Sequence, residues 1–456
     1  MTGEITLMGH QHRFISITSL PLPIAQCCLA ITAFACMVAS PACRRAAPAA
    51  TQIRLTCDPQ NGGLTTAPDL CLSIAADLDE AGLLRHAVVT AWGDLLVTAL
   101  PWRKKPGGLF ALRDSDGDGV FDIKEPVVEG SFSDVAIRGE YVYLAATDSV
   151  VRYRLEAGEL RPAGTPEIVV SNLPADGEHA TKEIVFDATG RLFVAIGSAT
   201  NQCQAKNRAV EAPGLDPCPE RATRAGVWVF DSEQPSQTQG KPWVSGVRNL
   251  LAIAPHPETG QLLGVQHGRD DLSRDWPKLF SALDGATKPA EEFLILSEGQ
   301  DFGWPYCYYD PVLGARVLSP EYGGDGKSTQ RCAHITPPMM TFPAHWAPND
   351  LLFYTGELFP EKYRGGAFIA FHGPDVRTEH APDGFRVVFV PFSGERPSGA
   401  YETVVDGFAG GATGRPQFRP MGLAQGNAGV IVLENERGRI WRLFPRAASG
   451  STTSTR

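Results

Sequence analysis

Residues 246–272 read GVRNLLAIAPHPETGQLLGVQHGRDDL. Two apolar runs, Leu250 to Ala254 and Gln261 to Val265, flank the turn His256-Pro257-Glu258-Thr259-Gly260. Short apolar runs joined by a Pro/Gly turn predict a β-hairpin. Arg248 and Asn249 stand before the first run, and Gln266 to Asp271 follow the second. A hairpin brings those ends together. A guanidinium, an amide and a loop of backbone carbonyls then share one rim. On this stretch alone, a surface loop with a salt bridge accounts for the same residues.

The pattern recurs. Ala87 to Leu96 (AVVTAWGDLL), Asp134 to Ala145 (DVAIRGEYVYLA), Glu183 to Ala195 (EIVFDATGRLFVA), Asp350 to Phe371 (DLLFYTGELF, then GGAFIAF) and Met421 to Leu433 (MGLAQGNAGVIVL) are similar hairpins. Several precede a third short strand: Gly108 to Leu112, Val150 to Tyr153, Gly226 to Phe230 and Gly438 to Leu443. With the 246–272 hairpin this makes six units, which predicts an all-β, six-bladed β-propeller over 46–446. Polar groups at equivalent ends of the blades then converge around the axis on one face.

Composition agrees. The 456 residues include 47 Gly and 36 Pro, and charged residues make up 20% with a net charge of −10. An acidic chain without a basic cluster argues against nucleic acid as the partner. Residues 1–45 read as an export segment. Arg13 precedes the apolar run Ile24 to Ala39, and Ser40-Pro41-Ala42 offers a small-residue cleavage site. Cys43, after small residues, is a candidate for lipid attachment, although the bulky residue of a lipobox is missing. Six cysteines follow, and their spacing pairs them as neighbours, 57–71, 203–218 and 307–332, among fifteen possible connectivities. Local disulfides imply an oxidising compartment, hence a periplasmic or extracellular protein. The small, polar tail 447–456 is expected to be disordered.

Asp114 to Glu125 reads DSDGDGVFDIKE, the spacing of a twelve-residue calcium loop. The expected ligands are Asp114, Asp116, Asp118, the carbonyl of Val120, Asp122 and Glu125. Without flanking helices this is expected to be a structural clip in a blade loop rather than a sensor. His179 precedes the strand Glu183 to Phe186 as Arg248 precedes its own strand, and a neutral imidazole there could act as a general base. A solvated loop histidine is the plainer alternative.

Together, EHATKEIVFDATGRLFVAIGS (178–198), GVRNLLAIAPHPETGQLLGVQHG (246–268), GQDFGWPYC (299–307), PAHWAPNDLLFY (343–354), FPEKYRGGAFIAFHG (359–373) and RPMGLA (419–424) resemble the quinoprotein glucose/sorbosone dehydrogenase family over roughly residues 85–445. The resemblance implies a six-bladed propeller that binds pyrroloquinoline quinone (PQQ) near its axis beside a calcium ion. His179 matches the family's base. Arg248 and Asn249 match its cofactor-contacting pair, and Gly268 and Arg269 match the residues whose carbonyls hold calcium. Arg419 matches one of two arginines near the cofactor carboxylates. Gln417 stands where the second would be, and His372 to Asp375 (HGPD) occupy the region of a cofactor lysine. His372 is retained as a cofactor-side candidate.

The reading that follows is an exported, calcium-dependent quinoprotein dehydrogenase. It would oxidise a sugar or related alcohol or aldehyde and pass electrons to an external acceptor. A non-catalytic propeller binding a glycan or protein is one alternative. A calcium-dependent lactonase-type hydrolase is another, and it would need carboxylates and amides around an axial metal, for which only Asn249 and Asp270 stand out.

Overall fold

The structure, a computed structural model, describes residues 53–374, 383–410 and 416–446. The expected export segment with Cys43, the tail expected to be disordered and Asp375 lie outside these residues. Six four-stranded antiparallel units make up the chain. Blade 1 runs Leu83–Val89, Leu95–Leu100, Gly108–Arg113 and Ile123–Val128. Blade 2 runs Phe132–Arg138, Tyr141–Ala146, Val150–Arg154 and Ala163–Val170. Blade 3 runs Lys182–Phe186, Arg191–Ile196, Gly226–Asp231 and Lys241–Ser245. Blade 4 runs Leu250–Pro255, Leu262–Gln266, Glu291–Ile295 and Met340–Phe342. Blade 5 runs Pro348–Phe353, Ala367–Phe371, Arg386–Val390 and Glu402–Asp406, with Thr65–Thr66 at its outer edge. Blade 6 runs Pro420–Gly426, Gly429–Glu434 and Arg439–Pro445. Its outer strand is Leu70–Asp77, from the start of the described chain.

The first strand of each blade packs against the first strands of its two neighbours, so the six close a ring around the axis. The molecule is thus the all-β, six-bladed propeller that the repeated hairpins predict. Pairing of Leu70–Asp77 with Arg439–Pro445 joins the two ends of the ring in one sheet, with Leu70 opposite Pro445 and Asp77 opposite Arg439. The six later cysteines form the disulfides 57–71, 203–218 and 307–332.

Each blade is buried on both faces, so its strands read as continuous apolar runs rather than alternating ones. Alternate residues of one strand serve different neighbours. Leu192 and Val194 pack with Tyr143 and Val169 of blade 2, while Phe193 between them packs with Leu250 and Leu294 of blade 4. The same division holds for Val97, which faces blade 6, and Leu96, which faces blade 2. Six apolar layers, one between each pair of adjacent blades, therefore carry most of the burial.

Insertions after the second strands of blades 3 and 4 and after the third strand of blade 4 rise on one face. They contain two short helices, Leu272–Asp275 and Ala282–Thr287, the hairpin of Cys307–Asp310 with Ala315–Leu318, and two of the disulfides. Leu272, Phe280, Tyr308 and Val317 form a small core of their own there.

Candidate active site

A cavity of about 1330 Å³ opens on the face that carries these insertions. His179, Arg248, Asn249, Gly268 and His372 all line it, together with Arg85, Asp270, Glu291, His345 and Asn349. His179 and Arg248 come from different blades but are one residue apart in hydrogen-bond terms. The His179 Nδ1 lies 2.9 Å from the Ser198 carbonyl and 3.0 Å from its hydroxyl, and the Ser198 amide donates to the Arg248 carbonyl at 2.8 Å. The Ser198 hydroxyl spends its proton on the Thr200 carbonyl at 2.7 Å. Both groups facing Nδ1 are therefore acceptors. This network assigns the ring proton to Nδ1 and leaves Nε2 with the lone pair. Gly197 makes the approach possible: a Cβ there would lie 2.4 Å from the His179 Cβ and 3.0 Å from Asn249 Oδ1.

The Arg248 side chain is held from three sides. Its Nε donates to the Asn201 carbonyl at 3.3 Å, its Nη1 to the Gly268 carbonyl at 2.9 Å and its Nη2 to Asp270 at 2.8 Å. Asp270 also accepts from Arg208 Nη2 at 3.0 Å. Burial opposes its charge, yet Arg248, His345 and Arg208 keep the Asp270 carboxyl well below its usual range. Arg208 also forks onto Glu178 and reaches Asp271, so this wall of the cavity is a closed ionic network.

Behind the Gly268 carbonyl sits Glu291, a buried carboxylate that accepts the Gly268 amide at 2.6 Å and the Ala347 amide at 3.2 Å. Burial pushes its pKa up to about 7 against those two bonds. Arg269 turns its side chain away from the cavity into a buried pair with Glu321 at 2.7 Å. That leaves only its backbone for a ligand role. Arg419 does not line the cavity: its Nη1 contacts the Gly373 and Pro374 carbonyls at 3.3 and 3.2 Å and lies 3.4 Å from His372 Nδ1. It braces the loop that carries His372. The Gln417 backbone N–H donates to the Ala409 carbonyl at 3.2 Å.

Burial, and then the charge of Arg248, lowers His179 to about 3 and His267 to about 4 from 6.5. The unfolded chain then binds more protons than the folded one below about pH 6.5. Stability from these rings is present above that pH and is lost as pH falls towards 4 and then 3. Imidazole ¹⁵N spectra should show both rings neutral at pH 5, and an imidazolium signal from either at that pH would contradict this electrostatic picture.

Residues 88–443 match the sequence profile of the TrAA12-like family. The chain belongs to that family. A pyrroloquinoline quinone-dependent sugar dehydrogenase of Hypocrea jecorina is 23% identical over 257 residues, 52% of this chain and 56% of that protein. An uncharacterised Borreliella burgdorferi protein is 28% identical over 203 residues, 44% of this chain and 47% of its own length. The TrAA12-like chain thus spans about half the length of the curated relatives it matches. Among solved structures, a Trichoderma reesei family AA12 enzyme superposes with a TM-score of 0.69 at 19% identity, covering 84% of this chain and 98% of that one. The holo PQQ domain of pyranose dehydrogenase from Coprinopsis cinerea gives 0.67 at 17%, covering 87% and 99%. At these identities the likeness is one of fold.

In this TrAA12-like chain the structure adds cavity residues that the sequence did not single out. Arg85, in the first strand of blade 1, lines the floor, and neither its Nε nor its Nη2 makes a hydrogen bond among the described residues. Asn349 beside it leaves its buried Oδ1 without a donor. In the acidic loop, Asp114, Asp116 and Asp122 offer oxygens within 4.8 Å of one another. Asp118 instead accepts from the Val120 amide at 2.8 Å, and Glu125, inside the strand Ile123–Val128, pairs with Arg161 at 3.3 Å.

Proposed function

We propose that this protein is an exported oxidoreductase that binds PQQ and calcium in the axial cavity and oxidises a sugar or related alcohol. The observation that carries the reading is the meeting of a neutral His179, the Arg248–Asn249 pair and the Gly268 loop in one cavity whose floor has unsatisfied polar groups. Those groups fit an anionic, carbonyl-rich cofactor. Arg85 brings a guanidinium charge to the cavity wall for a carboxylate, Asn349 brings an amide, and the volume exceeds what a monosaccharide alone would fill. Arg85 thereby restores a positive charge that Gln417 and His372 to Asp375 do not supply. The Gly268 and Arg269 carbonyls are the proposed calcium ligands, with Glu291 fixing the Gly268 peptide.

When bound, the quinone supplies the two-electron acceptor, chemistry that no side chain of the protein can perform. His179 Nε2 takes the substrate hydroxyl proton, with Nδ1–H anchored on Ser198 so that the ring cannot turn away. Arg248 uses three of its five N–H groups on Asn201, Gly268 and Asp270, leaving two to stabilise developing negative charge. Because Asp270 stays ionised, the guanidinium is locked in place. The three disulfides support an oxidising compartment, and electrons would leave to an external acceptor.

The direct test adds PQQ and calcium to purified protein and follows the cofactor spectrum and dye reduction across a panel of sugars. Stoichiometric binding with sugar-dependent dye reduction supports the reading. Absence of binding by the folded protein would overturn it in favour of a binding propeller.

We also propose that the Asp114–Glu125 loop holds a structural calcium ion through Asp114, Asp116 and Asp122. An ion that binds only the folded state raises its stability. Chelation should lower the melting temperature, and Asp116→Ala should remove most of the response contributed by this loop. An undiminished calcium response in the variant would rule the loop out.

A further inference from the structure

Beneath the cavity floor, at the axis, the innermost strands of four blades bring together His86, Asp134, Glu183 and Asp350. All four are buried, and none lines the cavity. His86 Nδ1 lies 3.7 Å from Asp134 Oδ1 and 3.5 Å from Asp350 Oδ2, and its Nε2 lies 3.3 Å from Glu183 Oε2. Charge-assisted hydrogen bonds between an imidazolium and a carboxylate close to about 2.7–2.9 Å. These separations are longer. Donors about 2.1 Å from a tetrahedral metal stand about 3.4 Å apart, and an imidazole gives one ion a single nitrogen; here Nδ1 faces the two aspartates and Nε2 faces Glu183. One ligand atom from each of His86, Asp134 and Glu183 lies within 4.8 Å of the other two.

Two further observations point to a ligand. Glu183 is 1% exposed, and neither of its oxygens accepts a hydrogen bond among the described residues. Its other charged neighbour, Arg85 Nη2, stands 3.6 Å away. The two aspartates, by contrast, are held by backbone amides. Asp134 accepts from Val135 and Ile184 at 2.7 Å each, and Asp350 accepts from Leu351 at 2.7 Å and Leu423 at 2.6 Å. Carboxylates oriented in this way by a second layer of hydrogen bonds are typical of metal ligands.

We propose that His86 (through one ring nitrogen), Asp134 and Glu183 form a buried site for a divalent transition metal such as manganese or zinc, with Asp350 beside the imidazole. One imidazole among carboxylates selects that class over calcium, which takes oxygen ligands only. The ion sits out of reach of the cavity. It ties the first strands of blades 1, 2 and 3 at the axis, so its role is structural. It also does not serve the hydrolase alternative, which needs a metal open to substrate.

Mn²⁺ is the probe for the test. The full chain is stripped with a chelator, loaded with Mn²⁺ and measured by electron spin-echo spectroscopy in H₂O and D₂O. The expected result is a Mn²⁺ population with ¹⁴N modulation from a coordinated imidazole and without deuterium modulation, the mark of a closed site, distinct from any ion held by oxygen ligands and water. His86→Gln should abolish that nitrogen signal, and Glu183→Gln should weaken Mn²⁺ binding at least tenfold. Asp116→Ala in the acidic loop should leave the nitrogen signal intact, because that loop offers only oxygen ligands. The wild-type spectrum is decisive even if a variant fails to fold. If the wild-type protein lacks nitrogen-coupled, water-excluded Mn²⁺, or if the signal survives in folded His86→Gln, the proposal is overturned and the cluster is an imidazolium held by carboxylates.

Discussion

His179→Ala is expected to lower kcat of the reconstituted protein by about 10²–10⁴-fold, the usual contribution of a positioned general base. Affinity for the cofactor and the melting temperature should change little. The expectation rests on geometry rather than on the histidine being present. The Nδ1 proton is committed to Ser198, whose own hydroxyl is committed to Thr200. Rotation of the ring would break that chain, so Nε2 stays the free acceptor. Burial and the Arg248 charge lower the ring to about 3, which leaves it neutral near pH 7. An anionic cofactor beside it would raise its proton affinity towards the range a base needs. Because the base acts only as the hydroxyl proton leaves, kcat and kcat/KM should fall together, with KM nearly constant. Added imidazole should restore part of the lost rate, since the truncated side chain leaves a ring-sized space open to the cavity. A loss smaller than tenfold, or a rise in KM that accounts for the whole effect, would remove His179 from the chemistry and leave it a wall residue.

The blades were legible because each lies between two others. Burial on both faces forces apolar runs, and the tight returns force Gly turns such as Asp187 to Gly190 and Gly426 to Gly429. The third strand of blade 4 escaped notice for the same physical reason in reverse. Glu291–Ile295 opens with two carboxylates, which a local pattern reads as surface. Both are buried, Glu291 on the Gly268 and Ala347 amides and Glu292 on Arg316 and Gln266. The closure of blade 6 by Leu70–Asp77 is a contact across almost the whole chain, and no local period encodes it. His179 and Arg248 could be found because both sit just before a first strand, where a propeller gathers side chains. Arg85 and His86 lie inside a first strand, and there a charged pair looks like an interruption of an apolar run. The acidic loop shows how far spacing carries. The twelfth position of a calcium loop is brought back to the ion by a following helix. Here a strand begins at Ile123, and its register with Gly108–Arg113 sends Glu125 towards Arg161 instead.

Arg85→Met is expected to weaken PQQ binding by about 10–100-fold, in line with the ~1.5–3 kcal/mol net contribution of a hydrogen bond to a charged group. Of the four arginines at the cavity, Arg208, Arg248 and Arg274 are already engaged by carboxylates at hydrogen-bond distance. Arg85 Nε and Nη2 make no hydrogen bond among the described residues, and Nη2 stands 3.6 Å from the Glu183 carboxylate in a looser ion pair. A buried guanidinium with unused donors is costly unless a ligand completes it. Burial lowers its pKa against the pull of Glu183 and Asp134, which means that the folded protein holds this charge under strain before any ligand arrives. A carboxylate of the cofactor beside the guanidinium would relieve that strain by supplying a second negative charge. Removing Arg85 also takes a positive charge from beside Glu183, so the variant must be compared with the wild type at a temperature where both are folded. Arg85→Lys provides the control. It keeps the charge and loses the fork, and it should recover part of the affinity but not all of it. Cofactor titration by absorbance or fluorescence quenching reads the effect without any turnover. If Arg85→Met binds PQQ as tightly as the wild type while His179→Ala remains inactive, the cofactor's carboxylates are held elsewhere in the cavity. Arg85 would then belong to the axial charge cluster alone.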